Sequence, residues 1–241
     1  MNRMILSATL AVALAAGDAQ AQAAVPVAAE PTPTPDAARL WRGTVYFRVT
    51  VNGDTTGADT AVLRVDGGHF AASDRMHLMG TSTAVEARMA LPSLAPVSTT
   101  GVQEAGGQHG EVRLAYGAGR VRGTVGLPGA APAEIDAEVP AGTWDYAGLA
   151  PVIMALPLRA GAIWTIPAYS PYVRAVTRFR VEVGAVETVE TAMRPVRAFR
   201  VRLTGGPAEM LYWFSEAEPR WEVKSQIPAY GVSVEARSRT P

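Results

Sequence analysis

The sequence predicts a mainly β protein, a meander of antiparallel strands with one short helix. Three observations carry this expectation. Apolar and polar residues alternate with period two along much of the chain, the pattern of half-buried strands. Turn-forming groups separate the runs: Asn52-Gly53, Asp66-Gly67-Gly68, Gly117-Ala118-Gly119 and Gly205-Gly206-Pro207. A single segment, Asp145 to Leu156, has helical spacing instead.

The chain starts with the layout of a secretory signal peptide. Arg3 gives a positive start, and Ile5 to Ala16 is an apolar run interrupted only by Ser7 and Thr9. The overlapping small-residue cleavage sites Ala19-Gln20-Ala21 and Ala21-Gln22-Ala23 follow. Residues 1–23 are therefore expected to be removed on export, after Ala21 or Ala23. Residues 24–38 are rich in Pro and Ala, with Pro26, Pro31, Pro33 and Pro35. They carry too little apolar bulk to offset chain entropy and are expected to form a flexible arm. Residues 39–241 suit one β-rich domain, since all-β domains commonly reach about 200 residues.

Val45, Phe47, Val49 and Val51 fall on one face of a first strand, and Asn52-Gly53 turns it into a second at Thr60 to Val65. His69 to Ala72 and Thr83 to Leu91 are weaker strands. Pro92 and Pro96 break the pattern, and Gly101 to Gly110 reads as a Gly-rich turn region. Glu111 to Tyr116 and Arg120 to Leu127 form the next hairpin. Glu134, Asp136 and Glu138 would share one face of an extended Ala133 to Val139. In the C-terminal third, Arg178 to Val183, Ala185 to Thr191, Arg197 to Leu203, Glu209 to Ser215, Arg220 to Gln226 and Gly231 to Arg237 follow in order. Met210 to Phe214 is apolar on both faces, so that strand should be covered on both sides. Trp221 and Val223 alternate with Arg220, Glu222 and Lys224, which places those three charges together on the opposite face. In the helical segment Asp145 is a candidate N-cap. Pro151 limits the helix to a short piece starting near Ala150, fit to plug one end of a curved sheet or cover one face.

Composition excludes several functions. The chain has 22 basic and 22 acidic residues, without the basic excess that neutralises phosphates in nucleic-acid binders. Every basic residue except Lys224 is Arg, whose planar fork suits cross-strand ion pairs with carboxylates. There is no Cys, which removes disulfides, thiol catalysis, zinc–thiolate sites and a lipid anchor on Cys. After the leader, the longest apolar candidate, Ala147 to Leu158, is cut by Pro151 and Pro157, so no membrane span is expected.

No catalytic or metal motif stands out, and no cofactor is expected. His69, His77 and His109 are scattered, and Asp66 or Asp74 would be needed to complete even a sparse ligand set. Gly80-Thr81-Ser82-Thr83-Ala84 falls one glycine short of a nucleophile elbow and lacks its strand-to-helix setting. Glu134, Asp136 and Glu138 suit a charged strand edge better than acid–base chemistry. The aromatic residues are the remaining lead, because the mouths of barrels and half-barrels hold apolar ligands. Trp164, Trp213, Ile153 and Leu156 are the candidate ligand-binding residues.

The mature chain also resembles the DUF3108 family of exported bacterial proteins. The resemblance rests on the early strand ending in Asn52-Gly53, the Leu91-Pro92 break, and Trp144-Asp145-Tyr146 leading into the short helix. It continues through Leu156-Pro157-Leu158-Arg159-Ala160-Gly161, and through Tyr212-Trp213-Phe214-Ser215 running on to Pro219-Arg220-Trp221-Glu222-Val223. It implies an envelope location and a strongly curved antiparallel sheet, a half-barrel or open barrel similar to the lipoprotein carriers LolA and LolB. It carries no catalytic residues. The expectation is a periplasmic, non-enzymatic protein that holds an apolar or amphipathic ligand, a lipid or acyl chain, in the concave face of its sheet. In a compartment without ATP, a chain lacking hydrolytic motifs is better suited to binding than to catalysis. The alternative is a structural module with a self-filled core that meets an envelope protein partner. A third is a hydrolase built on His69, Asp74 and His77.

Overall fold

A computed structural model describes residues 30–241, and the expected signal peptide lies outside the described residues. The first eight strands form an unbroken meander: β1 (Gly43–Val51), β2 (Asp54–Asp66), β3 (His69–Leu78), β4 (Thr81–Ala90), β5 (Ala95–Ala105), β6 (Gln108–Gly117), β7 (Arg120–Val125) and β8 (Ala133–Glu138). A two-residue strand, β9 (Trp144–Asp145), leads through a 3₁₀ turn into α1 (Leu149–Met154). A second meander follows: β10 (Ile163–Ser170), β11 (Ala175–Val189), β12 (Val196–Thr204), β13 (Met210–Ser215), β14 (Glu222–Ile227) and β15 (Val232–Thr240).

All fifteen strands belong to one sheet, ordered β8-β7-β6-β5-β4-β3-β2-β1-β15-β14-β13-β12-β11-β10-β9. Neighbours are antiparallel except β9 and β10, which pair in parallel. Joining β1 to β15 makes the two meanders continuous and leaves β8 and β9 as the ends. The sheet does not close through hydrogen bonds. It does curl until its arms meet. Val112, Leu114, Val121, Val125 and Ile135 from β6–β8 share one buried cluster with Tyr169 of β10. Register shifts that leave an extra residue in β2, β5, β11, β14 and β15 mark bulges, which bend strands and strengthen their twist. The result is the strongly curved, barrel-like sheet with one short helix that the sequence implies.

The hairpin signals hold where both residues accept positive φ, as at Asn52 (φ 52°) and Gly53 (φ 92°) between β1 and β2. Two glycine readings change. The expected turn region 101–110 is a hairpin whose turn is only Gly106-Gly107, with Gly101 inside β5 and Gly110 inside β6. A Cβ at Gly110 would come within 2.7 Å of the Gly126 carbonyl, so close backbone approach explains that residue. Likewise Arg178 to Thr191 is not two strands. β11 runs through Gly184, which sits in the bulge between Val183 and Val186.

The segment expected to be a flexible arm lies against the domain over its described part. Glu30 bridges to Trp164 in parallel, and the Thr32 hydroxyl donates to the Thr165 carbonyl at 2.9 Å. The Asp36 amide donates to the Ala155 carbonyl at 3.1 Å, and Pro35 and Ala37 are buried. The prolines lose little entropy when docked, which offsets the small apolar area they bury.

α1 fills much of the concave side. Val152, Ile153, Ala155 and Leu156 are fully buried in a cluster with Phe70, Met89, Trp164, Ile166, Val181, Val201 and Phe214. Asp145 caps the lead-in turn, accepting from the Ala147 amide at 2.7 Å. Pro151 occupies the third helical position, where its missing N–H has no partner to lose. β13 serves two clusters at once, with Tyr212 and Phe214 in that of the helix and Leu211 and Trp213 in a second with Val189 and Val223. This is the two-sided burial that its unbroken apolar run requires. The outer surface carries the cross-strand Arg–carboxylate pairs, among them Arg64–Glu86 at 2.6 Å and Arg120–Asp136 at 2.8 Å. On β8 the Glu134, Asp136 and Glu138 set is exposed at the end of the sheet, as expected of an edge. Among the described residues no helix is long and apolar enough to cross a membrane.

Candidate functional site

The feature best suited to function is a cavity of about 110 Å³ between the concave face of the sheet and α1. Val45 and Phe47 of β1, Ala61 and Leu63 of β2 and Val234 of β15 line one side. Ala147, Ala150, Pro151 and Met154 of the helical segment face them, with Tyr212 on a third side. The small Ala residues leave the space. A larger residue at position 61 or 150 would extend into it.

Three carboxyl groups reach this mostly apolar space, Asp59 of β2, Asp74 of β3 and Glu222 of β14, together with the polar side chains of Ser73, Ser225 and Gln226. β2 and β3 pair Asp59 with Met76 and Ala61 with Asp74, so the two aspartates are diagonal neighbours on one face. Glu222 comes from the other half of the sheet. A bulge at Val223 of β14, where Trp213 pairs with Lys224 and the next residue Phe214 with Glu222, sets Glu222 opposite Phe214 and turns it inward. Asp59 is only 6% exposed, and its Oδ1 has no hydrogen-bond partner. Among the described residues, no Arg, Lys or His lines the cavity.

Burial governs the charge state of the cluster. Desolvation, then the negative charges of Asp74 and Glu222, hold the Asp59 carboxyl well above the usual carboxylate range. Burial and Asp74 push Glu222 up to about 7, although Ser225 donates to it. Burial, with Glu222 nearby, also raises the Tyr212 phenol. A raised carboxyl pKa means that the folded state keeps its proton after the unfolded chain has lost it. The associated stability is complete below about pH 4.5 and drains away as the pH rises to about 7. Asp59 acts in the same direction. The stability of the protein is therefore expected to fall by on the order of 2 kcal/mol between pH 5 and 8. Urea titrations across that range should show it, and Glu222→Gln should flatten the profile. A profile equally steep in the variant would assign the effect elsewhere.

The residues expected from sequence to bind a ligand fall around this cavity and not on its wall. Ile153, Leu156 and Trp164 are at most 2% exposed inside the helix cluster. Their helix neighbours Ala150, Pro151 and Met154 supply the lining. Trp213 lies in the second cluster and borders a shallow outer depression with Glu187, Thr188 and Glu190. It donates to Glu187, and Arg200 and Lys224 stand 5.9 and 5.6 Å from its ring. The histidine set does not converge. Asp74 faces the cavity, His77 is exposed three residues along the same strand, and His69 sits in the β2–β3 hairpin beside the Gly67 carbonyl. Gly80 to Ala84 leads into β4, with no helix behind Ser82. Among the described residues no group of His, Asp and Glu side chains has a metal-binding arrangement.

The comparisons agree with this architecture. The sequence model of DUF3108, described as a protein of unknown function, matches residues 42–235, and the chain belongs to that family. Among curated proteins none matches. A crystal structure of a beta-barrel-like protein of the domain of unknown function DUF1849, from Brucella abortus, has a similar fold. Its TM-score is 0.53 at 10% identity, covering 83% of this chain and 98% of that one.

Proposed function

We propose that this protein is an exported, periplasmic binding protein without enzymatic activity, and that it holds an apolar or amphipathic ligand in its concave face. The observation that carries the reading is the apolar cavity left between α1 and the sheet by Ala61 and Ala150. An enclosed apolar space of about 150 Å³ holds a guest the size of benzene. At about 110 Å³ this cavity takes a few carbons, such as the end of a lipid or acyl chain, with the remainder leaving past the helix. The leader peptide expected from residues 1–23 supports the location.

Fluorescence titration with a decanoyl chain tagged at its carboxyl end tests this. Saturable uptake is expected, and Ala150→Phe or Ala61→Leu should reduce it at least about tenfold while circular dichroism stays unchanged. Uptake unaffected by both variants, or no uptake at all, would overturn the reading. The second reading, a structural module with a self-filled core, is favoured by the complete burial of Ile153 and Leu156 in the concave side. It is the one that survives if no chain binds.

A further inference from the structure

Most of the cavity wall is hydrocarbon, yet three acids from two halves of the sheet meet in it, and no basic side chain among the described residues lines it. An apolar cavity would be more stable without them, because buried carboxyl groups are costly unless partnered. Asp59 is the sharpest case. Its side chain is more than nine-tenths buried, it faces the cavity, and its Oδ1 has no hydrogen-bond partner. Asp74 lies within hydrogen-bonding reach of Asp59 on the neighbouring strand. An ionised pair of carboxylates at that spacing repels, and a cation between them removes the repulsion.

We infer that the cavity receives a small alkylammonium group, its nitrogen held by Asp59 and Asp74 and its hydrocarbon against Val45, Leu63 and Met154. A primary ammonium supplies three donors on a compact charge. That matches a free Oδ1 beside a second carboxyl. Glu222 closes the polar end from β14, and Ser225 orients it. The volume suits a chain of about four carbons when compared with the benzene-sized guest of a somewhat larger apolar cavity. A carboxylate or phosphate head would meet three carboxyl groups and no basic side chain at this end of the cavity. An anionic amphiphile would enter only with its tail.

This inference rests on the cavity being a binding site, and its test separates the two claims. Three probes of similar size, n-butylammonium, n-butanol and butyrate, are titrated at pH 7.5 against the full mature chain, with NMR shifts of the Val45, Leu63 and Met154 methyl groups as the readout. n-Butylammonium should bind at least about tenfold more tightly than n-butanol, and butyrate most weakly. Asp59→Asn, which keeps the shape of the side chain, should erase the preference for ammonium over n-butanol. Asp74→Asn should do the same, and it carries the test if Asp59→Asn folds poorly. Equal or tighter binding of n-butanol would overturn the ammonium assignment and leave the apolar cavity reading standing. An ammonium preference that persists in both variants would place the cation elsewhere and also overturn it. Failure of all three probes to shift the cavity methyls would remove the binding reading itself.

Discussion

Replacing Arg220 by Met should destabilise the protein by about 3 kcal/mol, the loss expected when charge-assisted hydrogen bonds to buried acceptors are removed. In a domain of this size that corresponds to a fall in Tm of about 9 °C. Arg220 is 4% exposed, and one end of its guanidinium gathers the structure around it. Nη1 donates to the Met154 carbonyl at 3.3 Å, an acceptor that the end of the short helix leaves open, and at 2.9 Å to the Leu156 carbonyl, which also accepts from the Leu158 amide. Nη2 pairs with Glu218 at 2.8 Å, and the charge lies 5.9 Å from the Phe199 ring. Its backbone amide donates to the Arg39 carbonyl, and its carbonyl accepts from the Trp41 amide, which fixes the N-terminal segment to the same point. Met fills similar space but leaves the Met154 carbonyl without its donor, the Leu156 carbonyl with only the Leu158 amide, and Glu218 without its partner. Lys should recover less than half of the loss, because a single nitrogen cannot reach both helix carbonyls and Glu218 in the guanidinium geometry. Denaturant midpoints of the two variants provide the measurement. A Met variant within about 0.5 kcal/mol of the parent would show that water replaces the guanidinium at no cost.

Arg220 also marks where local pattern stops being informative. Alternation reads the strands of the meander well because side-chain direction follows from the backbone alone, and Asn-Gly turns announce their hairpins. It places Arg220 and Glu222 on a charged outer face with Lys224. In the structure Arg220 joins the sheet only through an isolated bridge to Leu40, and a bulge at Val223 in β14 shifts the register so that Glu222 turns inward. A bulge costs one residue of register and reverses every direction beyond it, and no residue type announces this one. Asp59 is different. It lies in phase with Ala61 and Leu63 on β2, an acid at an apolar position, and that signal is present in the sequence. Recognising it as part of a cluster requires the pairing of β2 with β3 and the approach of β14 across the interior. The helix was legible from its spacing, its cap and its proline. The division of labour within it was not, because spacing identifies Ile153 and Leu156 as buried but does not say which of its residues border empty space. The contact between the two arms lies further still from local pattern, since β6 and β10 are far apart in both sequence and sheet order.

That contact leads to the second large effect. Asp145→Ala should cost about 3 kcal/mol, combining a lost helix cap of about 1 kcal/mol with a buried phenol left unpartnered. Asp145, 2% exposed at the end of β9, accepts from the Ala147 amide on its own arm and from the Tyr116 hydroxyl on β6 of the other. Burial raises its pKa, and these donors oppose the rise. The bond to Tyr116 joins strands at opposite ends of a sheet that does not close by backbone pairing, so a side chain does there what a ladder does in a closed barrel. Tyr116→Phe alone should cost less, about 1–2 kcal/mol, since Asp145 keeps its backbone donors. A double-mutant cycle should then show a coupling of at least about 1 kcal/mol between the two positions. Hydrogen exchange should show faster opening of β6–β8 in both single variants while β12–β14 keeps its protection. Zero coupling, or uniform loss of protection across the sheet, would mean that the arms are held by the apolar contacts of Val112, Leu114 and Tyr169 alone, with the polar link incidental to closure.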